Sequence, residues 1–185
     1  MSTDMFPLAS LFGLAGVAFG ASWGLFRTKR SIITIQTGCT FSFLTHYLLL
    51  GASSGAAMNV LNLVQLAVAF SGRRGPVART LYWSTLPAVA VLTVLTWSGP
   101  ASLGAAFGMT MATLARWQTD MLRLRLFFVL CIGGWATHNA IVGSPFGLTT
   151  DAIGLSTNLW GLYLLVRERR HAARPPVPIP TAAAV

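Results

Sequence analysis

Long apolar runs separated by short polar breaks dominate the chain. We read seven such runs, at about 6–26, 31–50, 56–72, 81–98, 100–116, 124–142 and 150–167. A helix needs roughly 20 residues to cross a bilayer, and the runs lack the polar alternation of membrane β-strands. Because only helices or closed barrels satisfy the backbone in lipid, the pattern predicts an all-α fold, a bundle of seven transmembrane helices.

The breaks between the runs are too short to hold a separate domain. The bundle is therefore predicted to occupy residues 1–174 as a single unit. The tail at 175–185 is rich in proline and alanine, and we expect it to be disordered.

Composition strengthens the membrane interpretation. Charged residues make up only 9% of the 185 residues, and apolar residues make up 54%, whereas a soluble domain carries about 25% charged residues. This deficit excludes an ordinary cytosolic enzyme. The net charge of +9 is no indication of nucleic-acid binding, because a basic footprint needs a polar surface to carry it.

The positive charges predict an orientation. All 13 lysines and arginines follow or flank the ends of the first, third, fifth and seventh runs. Because positive loops stay on the cytoplasmic side, we expect the amino terminus outside and the carboxyl terminus in the cytoplasm.

An internal repeat emerges when the chain is aligned with itself at an offset of 92 residues. Cys39, Thr45, His46, Gly51 and Gly55 then match Cys131, Thr137, His138, Gly143 and Gly147. The offset relates repeat one, about 6–72, to repeat two, about 100–167, with the run at 81–98 as a linker helix. Since three spans is an odd number, the linker lets the two triplets run parallel, a 3+1+3 plan that some transporters use.

Polar residues inside the runs define a candidate solute- or proton-binding site. The set comprises His46, Asn59, Asn62, Trp135, His138, Asn139, Asp151 and Asn158. Of the four acids, Asp151 alone falls within a run, and a carboxylate in lipid should face the interior and find a partner.

Depth along the helices predicts the pairing within this set. His46 and Asn59 lie level beside the turn at 51–55, and the repeat places His138 and Asp151 equivalently. We expect an Asp151–His138 pair that exchanges a proton near neutral pH, and a His46–Asn59 pair. The alternative for each is an interhelical hydrogen bond that only fixes packing.

The remaining members are expected to extend a cavity from this cluster toward the membrane midplane. Asn62 shares a helix face with Asn59, and Asn158 lies two turns beyond Asp151. Trp135 is placed to stack on a ring-shaped solute.

Other residues in the runs are expected to hold helices together. Small residues that allow close helix contact are Gly13, Gly16, Gly20, Gly104 and Gly108. Gln65 is expected to form an interhelical hydrogen bond, and Cys39 and Cys131 are expected to be packing residues.

Other chemistries lack a supporting pattern. Cys39 and His46 are seven residues apart, about 10 Å along a helix, so one metal ion cannot bind both. The chain has no nucleotide loop, serine elbow or His-Glu-x-x-His motif. We therefore expect no metal, no cofactor and no enzymatic activity. A haem held between His46 and His138 stays open as an alternative that a visible absorption spectrum would decide.

The two predicted hairpins resemble the YgjV-type bacterial inner-membrane proteins. The matching segments are His46-Tyr-Leu-Leu-Leu-Gly51, Ser54-Gly-Ala, Asn59-Val-Leu-Asn62 and Trp135-Ala-Thr-His-Asn139, with Gly143-Ser144, Asp151 and Asn158. The resemblance runs from Leu11 to Arg169 and implies a multi-pass protein of the bacterial inner (cytoplasmic) membrane. Asp151 stands where the family pattern has a glutamate, which keeps the carboxylate but shortens its reach.

The 3+1+3 plan is also similar in architecture to the SWEET and PQ-loop carriers. The proline-glutamine motif of the PQ-loop carriers is absent, because no glutamine of the chain follows a proline. Shared architecture does not identify a solute.

Two functions follow from these observations. The first is a carrier for a small polar solute, proton-linked, that works by alternating access between the two triple-helix halves. The alternative is a non-transporting structural or assembly subunit of a larger membrane complex. The expected partners are the lipid bilayer and a small polar solute, with no nucleic acid. A second copy of the chain or another membrane protein is kept as a further partner.

Overall fold

The computed structural model describes residues 5–22, 29–72, 75–118 and 120–172. Its regular structure in these ranges is entirely α-helical, which confirms the all-α prediction. The helices are α1 (Met5–Ser22), α2 (Lys29–Leu49), α3 (Ser53–Ser71), α4 (Pro76–Trp83), α5 (Thr85–Leu95), α6 (Pro100–Trp117), α7 (Met121–Val142) and α8 (Pro145–Ala172). The tail predicted to be disordered, 175–185, lies outside the described residues.

The fourth predicted run forms two helices, α4 and α5, separated only by Ser84. Pro87 lies four residues after Trp83, the last residue of α4. A proline has no N–H to donate to the carbonyl four residues earlier, and its ring crowds that carbonyl. The break therefore falls one turn before Pro87, a feature that hydropathy does not register.

The surface of the bundle is apolar and its interior is unusually polar. Val77, Val94 and Leu95 are between 74% and 80% exposed, whereas His138 and Ser144 are fully buried. Soluble domains show the opposite distribution, because large contiguous apolar surfaces cost free energy in water. By length and composition, three stretches within the described ranges are able to cross a membrane: Ser53–Ser71, Pro76–Leu95 and Met121–Val142.

Consecutive helices pack against one another as hairpins, α1 with α2, α2 with α3, α6 with α7, and α7 with α8. Helix α8 packs against α1, and α3 packs against α6. Helix α5 lies against α3 and α6. Helix α5 therefore contacts one helix that precedes it in the chain, α3, and one that follows it, α6.

Glycines allow close contact between helices, as the sequence predicted. A Cβ atom added to Gly134 of α7 would lie 2.6 Å from the backbone nitrogen of Gly108 and 2.8 Å from the carbonyl oxygen of Gly104 on α6. The two backbones are thus in direct contact. In α1, Gly13 packs on the ring of Phe146 from α8.

One end of the bundle gathers basic residues. The Arg30 guanidinium lies 5.1 Å from the Phe70 ring at the end of α3, and Arg79 lies 5.7 Å from a ring of Trp117 at the end of α6. These contacts bring the basic starts of α2 and α4 to the ends of α3 and α6. The lysine and arginine positions 27, 73, 74 and 174 lie outside the described residues.

Asp120 belongs to the same end and caps α7. Its Oδ1 accepts a hydrogen bond from the Arg123 backbone N–H at 2.9 Å, and its Oδ2 accepts one from Arg169 at 2.6 Å. The amide hydrogen bond and the guanidinium hold the pKa of this carboxyl below its usual range. Exposed ion pairs of this kind contribute little to stability. A substitution at Asp120 should therefore have little effect on stability and provides a control for the same substitution at Asp151.

We expect Gly134→Ala to destabilise the protein by about 1–3 kcal/mol, because the added methyl group would force two backbones apart. The neighbouring Gly133 has open space beside it, so Gly133→Ala is the matched control and should be neutral or slightly stabilising. Thermal unfolding of both variants in one detergent measures the difference. Equal melting temperatures for the two variants would contradict the backbone contact.

Candidate functional site

A cavity of about 160 Å³ lies between α2, α3, α6, α7 and α8. Its volume is close to that of an engineered cavity of about 150 Å³ that holds benzene. The polar part of its lining comes from Thr40, Tyr47, Asn59, Asn62, Arg116, Asn139, Thr150 and Asp151. Five predicted site residues therefore line one cavity: Asn59, Asn62, Trp135, Asn139 and Asp151.

A chain of hydrogen bonds forms one end of the cavity. The Tyr47 hydroxyl donates to Asn139 Oδ1 at 2.6 Å, and Asn139 Nδ2 donates to Asp151 Oδ2 at 2.8 Å. Tyr47 and Asn139 are both about 2% exposed. The phenol fixes which way the amide points, so the amide presents its N–H to the carboxylate.

The predicted Asp151–His138 pair is wrong, because Asp151 bonds to Asn139 instead. The His138 ring turns toward α6, where Nδ1 donates to the Ala101 carbonyl at 2.9 Å. Its Nε2 atom has no hydrogen-bond partner among the described residues and lies against Gly55. His138 does not line the cavity.

The predicted His46–Asn59 pair is also wrong. His46 Nδ1 donates to the Ala9 carbonyl of α1 at 2.7 Å, and Nε2 lies 2.8 Å from the Ser144 hydroxyl. Asn59 donates to the carbonyl of Gly55 within its own helix at 2.9 Å. The two side chains therefore bond to different partners, and only Asn59 lines the cavity. Since both ring nitrogens of His46 are engaged, the haem alternative has no free ligand atom on this side.

The opposite end of the cavity holds Arg116, which the sequence interpretation assigned only to membrane orientation. Its Nη1 donates to Gln65 Oε1 at 2.5 Å. Gln65 Nε2 donates in turn to Thr85 at 2.8 Å and to Thr113 at 2.7 Å, which confirms the predicted interhelical role of Gln65. Arg116 shares a face of α6 with Met109, which also lines the cavity, and that spacing was the available signal.

The two remaining predicted residues, Asn62 and Asn158, differ in where the structure places them. Asn62 lines the cavity and donates to Thr40 at 2.9 Å, and its buried Oδ1 has no hydrogen-bond partner within the described ranges. Asn158 lies outside the cavity, so its predicted lining role is wrong. Its amide group instead donates to the backbone carbonyl of Arg125 at 2.9 Å and fixes α8 against α7.

Aromatic rings form a wall of the cavity. Tyr47 stacks on Trp135 with ring centres 6.1 Å apart and on Phe43 with ring centres 5.8 Å apart. All three rings line the cavity. Sequence reasoning found Trp135 but missed Tyr47, whose hydroxyl carries the hydrogen bond between α2 and α7.

These features define a class: an all-α bundle with an apolar exterior and a polar cavity among its helices, as in proteins built for a lipid environment. Residues 7–169 match the family Imp-YgjV, described as bacterial inner membrane protein. Because the match covers most of the 185 residues, the chain belongs to this family, as its two hairpins indicated. Comparison with curated proteins and with solved structures gives no significant match.

Both cysteines of the chain, Cys39 and Cys131, line the cavity, so they report on its access to water. We expect a small methanethiosulfonate reagent to modify them in the membrane-embedded protein at a slow but measurable rate. Mass spectrometry of Cys39→Ser and Cys131→Ser assigns the label, and the double variant gives the background. Modification only after denaturation would show that the cavity is sealed from water.

Proposed function

We propose that the chain is a carrier for a small polar solute and that the cavity is its binding site. The observation that carries this proposal is the coincidence of a carboxylate, a guanidinium and three carboxamides in one cavity of an otherwise apolar-surfaced bundle. Ionisable groups in membrane helices are costly and mark solute or proton pathways. Cavities that bind small molecules likewise combine apolar walls with a few placed polar groups.

The proposed carrier is built on the 3+1+3 plan, and contacts that recur at an offset of 92 residues support this arrangement. The imidazole–carbonyl bond of His46 with Ala9 recurs as that of His138 with Ala101. The turns support it as well, since Gly51 and Gly143 have φ values of +72° and +70°. At each of these turns a left-handed backbone conformation favours glycine.

The cavity lies where the two proposed halves meet. Four pairs of equivalent positions line it: Cys39 with Cys131, Phe43 with Trp135, Tyr47 with Asn139, and Asn59 with Asp151. The Tyr47 hydroxyl bonds to its own equivalent, Asn139, 92 residues away. Residues that contact their own equivalents lie on a two-fold axis. A solute site on this axis would open first to one side of the membrane and then to the other as one half rocks against the other.

Asp151 couples the proposed site to protons. Its carboxylate holds the amide of Asn139, which also accepts the hydroxyl of Tyr47 from the other half. Loss of the negative charge weakens a charge-assisted hydrogen bond, so protonation would loosen the link between the halves. The other titratable or charged groups lining the cavity are Cys39, Tyr47, Cys131 and Arg116.

The basic end of the bundle is proposed to face the cytoplasm. Arg30, Arg79 and Arg169 contact neighbouring helices at that end, and positively charged loops are retained on the cytoplasmic side. The end of the cavity that holds Asp151 and Tyr47 would then lie toward the outer face of the membrane.

The repeat makes a prediction about two equivalent N-cap positions, Ala52 and Ser144. Ser144 accepts the Gly147 N–H at 3.0 Å and contacts His46 Nε2, whereas Ala52 offers α3 no side-chain cap. We expect Ala52→Ser to stabilise the protein by about 1 kcal/mol, because it would cap α3 and reach the unpaired Nε2 of His138. Thermal unfolding in detergent measures the effect.

The reciprocal change, Ser144→Ala, should destabilise the protein by about 1–3 kcal/mol, because it removes a cap and leaves a buried imidazole nitrogen unpaired. Destabilisation by Ala52→Ser would argue against the equivalence of the two turns.

The carrier function predicts that Asp151→Asn abolishes solute-stimulated proton movement while leaving folding and insertion intact. The assay uses proteoliposomes with an entrapped pH-sensitive dye and a panel of small sugars, polyols and amino acids. Asp120→Asn is the matched control, since it makes the same chemical change outside the cavity and should retain activity. Unchanged proton movement in Asp151→Asn would refute the proton coupling. If no solute stimulates flux and the protein purifies from mild detergent with a stoichiometric partner, the structural-subunit alternative would be favoured.

A further inference from the structure

The cavity contains two opposite charges that are not paired with each other. The described ion pair of the protein is Arg169 with Asp120 at the basic end, and Arg116 and Asp151 make no such contact. Each is held instead by a neutral group, Arg116 by the carbonyl oxygen of Gln65 and Asp151 by the amide of Asn139.

The two charges lie toward opposite ends of the cavity. On α7 the lining extends from Phe128 to Asn139, about 16 Å along the helix axis. Asp151 is held at the Asn139 end. Helices α6 and α7 are antiparallel, with Gly104 against His138 and Gly108 against Cys131. Arg116 lies eight residues beyond Gly108, which places it toward the Phe128 end.

Neither charge is compensated by its described partners. A guanidinium has five N–H donors, and a carboxylate has two acceptor oxygens. The described side-chain contacts use one amide donor at Asp151 and one carbonyl acceptor at Arg116. Arg116 and Asp151 are both partly buried, and an unpaired charge withdrawn from bulk water is disfavoured unless a counter-charge is supplied, so the cavity favours a guest that brings both signs.

We propose, building on the carrier function above, that the cavity binds a small zwitterion. Its cationic group would contact Asp151 and its anionic group would contact Arg116, with the aliphatic middle against the aromatic wall formed by Phe43, Tyr47 and Trp135. A volume of about 160 Å³ suits a guest of benzene-like size. A neutral sugar or polyol would leave both charges uncompensated, and a singly charged solute would leave one.

Truncated ligands provide the direct test. We take γ-aminobutyrate as the zwitterionic probe, with butyrate and butylamine as analogues that each lack one charge, and titrate purified protein in lipid nanodiscs by calorimetry. The zwitterion should bind at least tenfold more tightly than either analogue, since charge-assisted hydrogen bonds form at both ends. β-Alanine and 6-aminohexanoate, with a shorter and a longer separation of charges, report in the same titration which separation fits best. Equal affinity for the zwitterions and for butyrate or butylamine would overturn the proposal.

Variants assign each charge to one end of the guest. Asp151→Asn should weaken γ-aminobutyrate binding tenfold or more and should not weaken butyrate binding. Arg116→Gln should likewise weaken γ-aminobutyrate binding tenfold or more, and it should not weaken butylamine binding. Arg116→Lys tests the charge separately from the Gln65 hydrogen bond, because it keeps the charge and should retain most of the affinity. Asp120→Asn and Arg123→Gln, outside the cavity, are the matched controls.

The outcomes separate this inference from the carrier function on which it rests. Uptake of a neutral solute with no zwitterion binding would overturn the inference and leave the carrier standing. Zwitterion binding without flux of any solute would support the site and overturn the carrier. A loss of all three ligands alike in both Asp151→Asn and Arg116→Lys would show that the charges are structural, which also overturns the inference.

Discussion

Two buried imidazoles, each bonded to a backbone carbonyl on the preceding helix, fix the arrangement on which the rest of the bundle depends. In lipid, helices associate through close packing and polar contacts, since there is no hydrophobic driving force between them. His46 binds α2 to α1 at Ala9, and His138 binds α7 to α6 at Ala101. Each bond sets the rotation of its helix about its own axis. That rotation turns Cys39, the aromatic wall and Asn139 toward the cavity.

The polar interior is organised in two tiers that hold α3, α5 and α6 together. At the basic end Gln65 joins α3 to α5 and α6 through Thr85 and Thr113. At the other end the Ser54 hydroxyl donates to the carbonyl of Thr96, 2.6 Å away, and lies 2.8 Å from the Ser102 hydroxyl. The helices are therefore tied at both ends, and the cavity with its charges occupies the stretch between the ties.

Sequence reasoning predicted the helices well because run length and polarity determine them, and it predicted the side-chain pairs poorly. Depth along a helix is readable from spacing, but the rotation of the helix is not, so His138 and Asp151 were placed level without being in contact. Counting positive charges at helix ends likewise does not tell a loop arginine from one that turns inward, as Arg116 does. Asn158 was misplaced for the same reason, since its partner Arg125 lies on another helix.

The contact between Tyr47 and Asn139 has a consequence for how this cavity arose. If two identical halves once faced each other across the axis, positions 47 and 139 carried the same side chain, and a phenol donating to an amide oxygen was impossible there. On that premise the present bond, 2.6 Å long, requires the two halves to differ, so it would have formed only after both were joined in one polypeptide and each position could mutate alone. A change at either position today would leave the other without this hydrogen bond.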